Sequence, residues 1–106
     1  MASFKLNIIS PYGRAFDGSC EMLTAHGFDG GFAVLAGHAP MLAMLKRGVM
    51  KVVAGGQPTY FVTGEGVCEV TREEVNVLVD TAIKAAGLAE ANAELARHIE
   101  AVSVKT

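Results

Sequence analysis

The chain has 106 residues, 51% of them apolar and 19% charged, with a net charge of −2 at pH 7. That length holds one domain with one modest core, and that composition excludes a disordered tail. The slight acidity argues against a nucleic-acid partner, which would require a basic face.

No apolar run reaches the roughly 18 residues of a membrane-spanning helix. Residues 1–13, MASFKLNIISPYG, lack the basic start, long apolar stretch and cleavage site of a secretory signal, and lack the arginine-rich look of an organellar leader. A chain on the cytosolic side is expected. The two cysteines, Cys20 and Cys68, are too few and too far apart for a disulfide scaffold and are expected to be reduced and structural.

Residues 4–9 read as a first strand, closed by a turn in which Pro11 pre-sets the backbone and Gly13 takes a positive φ. A short strand over 14–17 ends at Gly18, and residues 20–25 form the next. Two apolar runs, 32–36 and 41–45, have strand length. Residues 48–54 alternate, with Met50, Val52 and Ala54 on one face and Val49, Lys51 and Val53 on the other. Gly55-Gly56 suits a two-residue hairpin turn into 57–63. Gly64-Glu65-Gly66 turns into 67–71. Arg72-Glu73 turns into a last strand where Val75, Val77 and Val79 alternate.

Strands at this spacing predict a mainly β fold, an antiparallel β-sandwich or flattened barrel. After Asp80 the sequence becomes alanine-rich, counting Ala82, Ala85, Ala86, Ala89, Ala91, Ala93 and Ala96, which favours a single C-terminal α-helix. Gly87 separates the strand exit from that helix, expected over 88–102. Leu88, Ala91, Leu95, Ile99 and Val102 form its apolar stripe, narrowed by Asn92, and Glu94 can pair with Arg97 or His98. The expected division is a β-sandwich over 1–84 and a helical segment over 85–106. A helix of about 15 residues is marginal alone, so it must dock on the sandwich or on a partner.

The organising stretch is 27–48, GFDGGFAVLAGHAPMLAMLKRG, which holds five of the twelve glycines. Gly37-His38-Ala39-Pro40 breaks its apolar runs as a tight loop, because Pro40 has no amide hydrogen and biases Ala39 toward extended backbone. The run GGFAVLAGHAPMLAMLKRGVMKV resembles the signature of the epsilon subunit of F-type ATP synthases, roughly GEFGVLPGHAPLLTALKPGVLRI. GEGVCEVTREEVNVLVDTA at 64–82 resembles the family's SGGFxEVxxNxVTVLADxA, and LNIISPYGRAFDG at 6–18 resembles its opening.

The resemblance implies a non-catalytic subunit of the rotor, without a cofactor. Its partners would be the gamma subunit and the c-ring, with the catalytic hexamer as a further contact. It would lie at the cytoplasmic face of the bacterial inner membrane, held there through the complex, and couple ion flow to ATP synthesis. A stable contact of this kind buries at least about 1,200 Å². Family contacts fall on the loop before GHAP and on GHAP itself, here Asp29, Gly30, Gly31, Gly37, His38, Ala39, Pro40 and Met41. Two departures stand out. The family's acid before the phenylalanine is Gly31, whose role Asp29 could take, and its proline before GH is Ala36.

Family members carry two C-terminal helices, and some hold ATP through (I/L)DxxRA. Here the matching residues are Leu88-Ala89-Glu90-Ala91-Asn92-Ala93, with Ala89 and Asn92 in place of the Asp and Arg. A phosphate site without its arginine loses its best donor, so neither an ATP site nor family-style inhibition by an extended second helix is expected.

Other readings of the same residues are weaker. His26, His38 and His98 match no compact metal-ligand spacing. The glycines at 27–31 precede no GK[ST], so turns are favoured over a phosphate loop. Glu73-Glu74 reads as solvated charge, and no nucleophile grouping is present. A lipoyl- or biotinyl-like carrier would need Lys46 at a hairpin tip, but its flanks fit neither known pattern. A ligand-binding or enzymatic sandwich would need convergent polar residues in a pocket.

Overall fold

A computed structural model describes residues 2–105, with side chains described for residues 2–97. Among the described residues it contains ten strands and one helix: β1 Phe4–Ser10, β2 Gly13–Cys20, β3 Met22–Gly27, β4 Gly30–Leu35, β5 Met41–Leu45, β6 Gly48–Ala54, β7 Gln57–Thr63, β8 Gly66–Val70, β9 Glu74–Val79, β10 Ala82–Ala85 and α1 Leu88–Lys105. The strand order is β10-β7-β6-β3-β5-β8-β9-β1-β2, with β4 paired to β3 alone. The sheet is nearly closed, and its two ends approach through contacts of β10 with β1 and β2.

Alternation sets the core. Leu6 and Ile8 of β1, Leu23 and Ala25 of β3, Met50 and Val52 of β6, Cys68 and Val70 of β8, and Val75, Val77 and Val79 of β9 all point into one buried cluster. Phe61 joins it and meets Phe16 edge-on, with ring centroids 6.3 Å apart. The face assignment read from β6 holds. Both cysteines are free and buried in this core, as expected.

Several turns are fixed by residue type. Gly55 and Gly56 have φ of 61° and 76°, which a two-residue hairpin requires and which only glycine adopts without strain. Thr71 closes the β8–β9 turn, its hydroxyl donating to the Glu74 carbonyl at 2.9 Å and accepting the Glu74 N–H at 3.1 Å.

Three expectations need correction. Residues 82–85, counted with the helix-favouring tail, form β10, because pairing with 60–63 of β7 outweighs alanine's helix propensity. The glycine-rich centre is less turn than strand. Gly27 and Gly31 lie inside β3 and β4, and the turn between them is Phe28-Asp29, with φ of 123° at Gly30. The strand pairs are antiparallel except one: β1 runs parallel to β9, which brings the N-terminal strand into the sheet between β9 and β2.

The helix docks on β6, β7 and β10. Val62 is buried yet stands outside the core cluster, so it faces outward beneath α1 beside its cross-strand neighbours Val49 and Ile83. Of the expected stripe, Ala91 is fully buried, Leu95 is half-buried and Leu88 is exposed, while the side chains of Ile99 and Val102 lie outside the described residues. Gly87 starts the helix, its carbonyl accepting the Ala91 N–H at 2.9 Å. Glu90 stands in the first turn, where the helix dipole favours an acid. The expected Glu94–Arg97 pair forms at 2.6 Å.

Candidate functional site

Along β5, β8, β9 and β1, the core-facing set dictates what points out of the sheet. With Leu6, Ile8, Val75, Val77, Cys68, Val70 and Leu45 inward, the outward residues are Asn7 and Ile9, Asn76 and Leu78, Val67 and Glu69, and Leu42 and Met44. Strand register aligns them into two rows. Met44 faces Val67, Val67 faces Leu78, and Leu78 faces Ile9, giving an apolar row across β5, β8, β9 and β1. Met44 is 57% exposed and Leu78 45%. Leu42, 70% exposed, begins the next row, which continues through Glu69, Asn76, Asn7 and Asp17.

That second row is polar and internally bonded. Asn76 Nδ2 donates to Glu74 at 3.2 Å, Asn7 Nδ2 to Asn76 Oδ1 at 3.0 Å, and Arg14 to Asn7 Oδ1 at 3.1 Å. Lys5 Nζ lies 2.6 Å from Asp17 and, with Arg14 further off, holds its carboxyl below the ordinary value. The apolar row therefore has a rigid polar border, the layout of a docking face with a rim.

A depression adjoins each end of the apolar row. One, of about 410 Å³, is lined by Ile9, Ser10, Pro11, Glu65, Leu78, Val79 and Asp80. The other, of about 850 Å³, lies between the tip of the β3–β4 hairpin and β5. Its lining includes Phe28, Asp29, Gly30, Gly31, Met41 and Met44.

The sequence-expected contact residues fall in two places. Asp29, Gly30, Gly31 and Met41 share the larger groove. Gly37 and His38 sit at the far end of β4, beside Phe4, Arg72 and Glu74. Ala39 and Pro40 are exposed in the link between. The His38 N–H donates to the Leu35 carbonyl at 3.1 Å, and Nδ1 lies 2.7 Å from the Ala39 carbonyl, so the loop histidine is held by backbone. Sequence reasoning did not single out the outward residues Leu42, Met44, Val67, Leu78 and Ile9. The signal was present: with Val75, Val77 and Val79 read as the inward set, Leu78 is an apolar residue on the outward phase.

Lys46 occupies a corner, not a hairpin tip. Its backbone N–H donates to the His26 carbonyl, and the flanking strands β5 and β6 do not pair with each other but lie on β3, with β8 and β7 as their further neighbours. This arrangement removes the carrier-domain reading.

The profile of the ATP synthase Delta/Epsilon chain, beta-sandwich domain, matches residues 3–85. The chain belongs to the ATP synthase Delta/Epsilon chain family. It is 46% identical over 100 residues to the ATP synthase epsilon chain of Chromohalobacter salexigens, covering 92% of this chain and 70% of that one. It is 38% identical over 100 residues to the epsilon chain of Afipia carboxidovorans, covering 94% and 72%. With the epsilon chain of Rhodopseudomonas palustris strain BisB5 it shares 39% over 88 residues, 83% of this chain and 65% of that one. The fold recurs in a chain of the Euglena gracilis mitochondrial ATP synthase OSCP/F1/c-ring assembly, with a TM-score of 0.79 at 21% identity over 99% of this chain and 66% of that one. It recurs also in the central stalk/c-ring structure of the Tetrahymena thermophila enzyme, with a TM-score of 0.66 at 13% identity, over 77% and 66%.

Proposed function

We propose that this chain is a central-stalk subunit of an F-type ATP synthase, a non-catalytic part of the rotor that binds the gamma subunit and the c-ring and couples ion flow to ATP synthesis. It sits at the cytoplasmic face of the bacterial inner membrane, held there through the complex. The observation that carries this reading is the outward apolar row Met44, Val67, Leu78 and Ile9 on a rigid sheet, with a groove at each end. A coupling element must transmit torque without deforming, and a nearly closed sheet with short turns does so better than a flexible arm.

Within this reading, the apolar row is the gamma-facing surface, and Asp29, Gly30, Gly31 and Met41, together with the loop Gly37, His38, Ala39 and Pro40, face gamma and the c-ring. The exposed Ala89 and Asn92 on the first helical turns put neither an acid nor an arginine where some family members hold ATP, so the proposed role includes no ATP site of that type.

The test is binding of the full chain to its cognate gamma subunit and c-ring, with Leu78→Asp, Met41→Asp and His38→Ala as variants. A charge placed at the centre of a desolvated apolar contact is expected to weaken gamma binding by about tenfold or more. Tight binding by the wild type and unchanged binding by Leu78→Asp would remove the apolar row from the interface. Absence of wild-type binding would remove the stalk reading.

A further inference from the structure

Sheet edges are where chains recruit other chains, and proteins blunt them with charge. Here β2, at one end of the strand order, carries Arg14 and Asp17, and β10, at the other, carries Lys84. The third edge is β4, GGFAVL, which pairs with β3 alone and has neither charge nor proline.

Two backbone hydrogen bonds fix which of its groups face outward. The His26 carbonyl accepts Lys46 N–H and the Phe28 N–H reaches the Met44 carbonyl, both at 3.1 Å, so His26 and Phe28 turn their backbone toward β5. Alternation then gives Ala25 and Gly27 to the β4 ladder, opposite Phe32 and Gly30. Gly31 and Ala33 are left with outward N–H and C=O groups. Leu35 is left with its N–H, since its carbonyl accepts from His38. All three residues are exposed. At the start of this edge lies the groove of about 850 Å³, and at its mouth stands Asp29, with no ion-pair partner among the described residues.

We infer that β4 is a strand-addition site, on which an extended segment of the stalk partner pairs with Gly31, Ala33 and Leu35 and sets a basic residue against Asp29. This rests on the stalk reading above. A second copy of this chain fits less well. Antiparallel pairing about Ala33 would set Asp29 opposite the partner's Gly37, in a stretch without lysine or arginine. Gly31 has no side chain and Ala33 only a methyl, both exposed, so the incoming backbone is unobstructed.

Ala33→Pro separates this site from the fold, because the amide it removes faces outward and proline is tolerated at such edge positions. Asp29→Lys tests the charge independently. The probe is the purified cognate gamma subunit, with the full chain, read by equilibrium binding and by amide hydrogen exchange. Binding is expected to slow exchange at Gly31, Ala33 and Leu35, and each variant to weaken affinity by about tenfold. Wild-type binding without slowed exchange at those amides, or with affinity unchanged in both variants, overturns strand addition and leaves the stalk reading standing. Slowed exchange in the free chain, rising with concentration alongside a sedimenting dimer, assigns the edge to a second copy and overturns the inferred occupant. No wild-type binding overturns the stalk reading itself, and the inference with it.

Discussion

The carboxylate of Glu21 accepts the backbone N–H of Gly56 at 3.0 Å, from a turn 35 residues away in sequence. The same group accepts Gly55 N–H at 3.1 Å, so one side chain gathers both turn amides of the β6–β7 hairpin. These bonds, Gly56 first and Gly55 second, lower the Glu21 carboxyl below its ordinary 4.5. A lowered folded value means that the stabilisation is complete above about 4.5 and is lost as pH falls through the folded value. Asp17, lowered from 3.8 by Lys5 and then Arg14, has the same sign in a slightly lower window. Glu21→Gln is expected to lower Tm at pH 7 and to flatten the acid limb of a Tm-against-pH curve. A curve of unchanged shape would show that the hairpin closes without this carboxylate.

Gly66 allows the backbone of β9 to pass closer than a side chain permits. A methyl built there would collide with the carbonyl of Leu78, which is fixed in the β8–β9 ladder. Since this obstacle is backbone, it cannot rotate away. Gly66→Ala is therefore expected to destabilise the chain by more than the roughly 1 kcal/mol typical of a point mutation. It should also shift the register beside Leu78, in the middle of the proposed interface. Chemical denaturation with amide shifts for β8 and β9 would check both.

Burial pushes both thiols up to about 11, with the neighbouring Glu21 adding to the effect at Cys20. Thiolate is the reactive form, so neither cysteine should react with a thiol reagent at pH 8 while the chain is folded. Both should react together in guanidinium. Rapid labelling of one thiol in the native state would show a local opening of β2 or β8.

The barrel was legible because its core obeys period two and its turns use residues with one conformational role. Gly55-Gly56 is the clear example, where both glycines adopt the positive φ that the sequence demands. Local reading failed where pairing overrides propensity. Ala82–Ala85 is a helix former by composition, but the open edge of β7 makes it a strand. The parallel β1–β9 pair joins residues some seventy positions apart, and no local pattern marks it. The expected contact residues are a linear motif rather than a surface. A linear motif joined Asp29 to His38, although β4, about 17–20 Å long, holds them apart. The outward row from Met44 to Ile9 draws one residue from each of four strands, so it exists only once register is known.

The helix should detach without unfolding the sheet. Ala91 is fully buried, and α1 packs on β6, β7 and β10 while Ala91 stands outside the core cluster. A helix of this length is marginal in water without docking. Ala91→Glu places a charge where no partner is available, and the lower-energy response is for the helix to leave the sheet. Far-UV circular dichroism should lose its helical component. Limited proteolysis should trim residues 88–105 while 2–85 persist. The sheet should retain a cooperative melt, lowered only modestly because Phe61, Leu6 and Ile8 remain packed. Loss of all structure in one transition would instead make α1 part of the folding unit. The buried Ala91 and the packing of α1 on β7 would then count as core, and the sheet could not serve as a rigid coupling body independently of its helix.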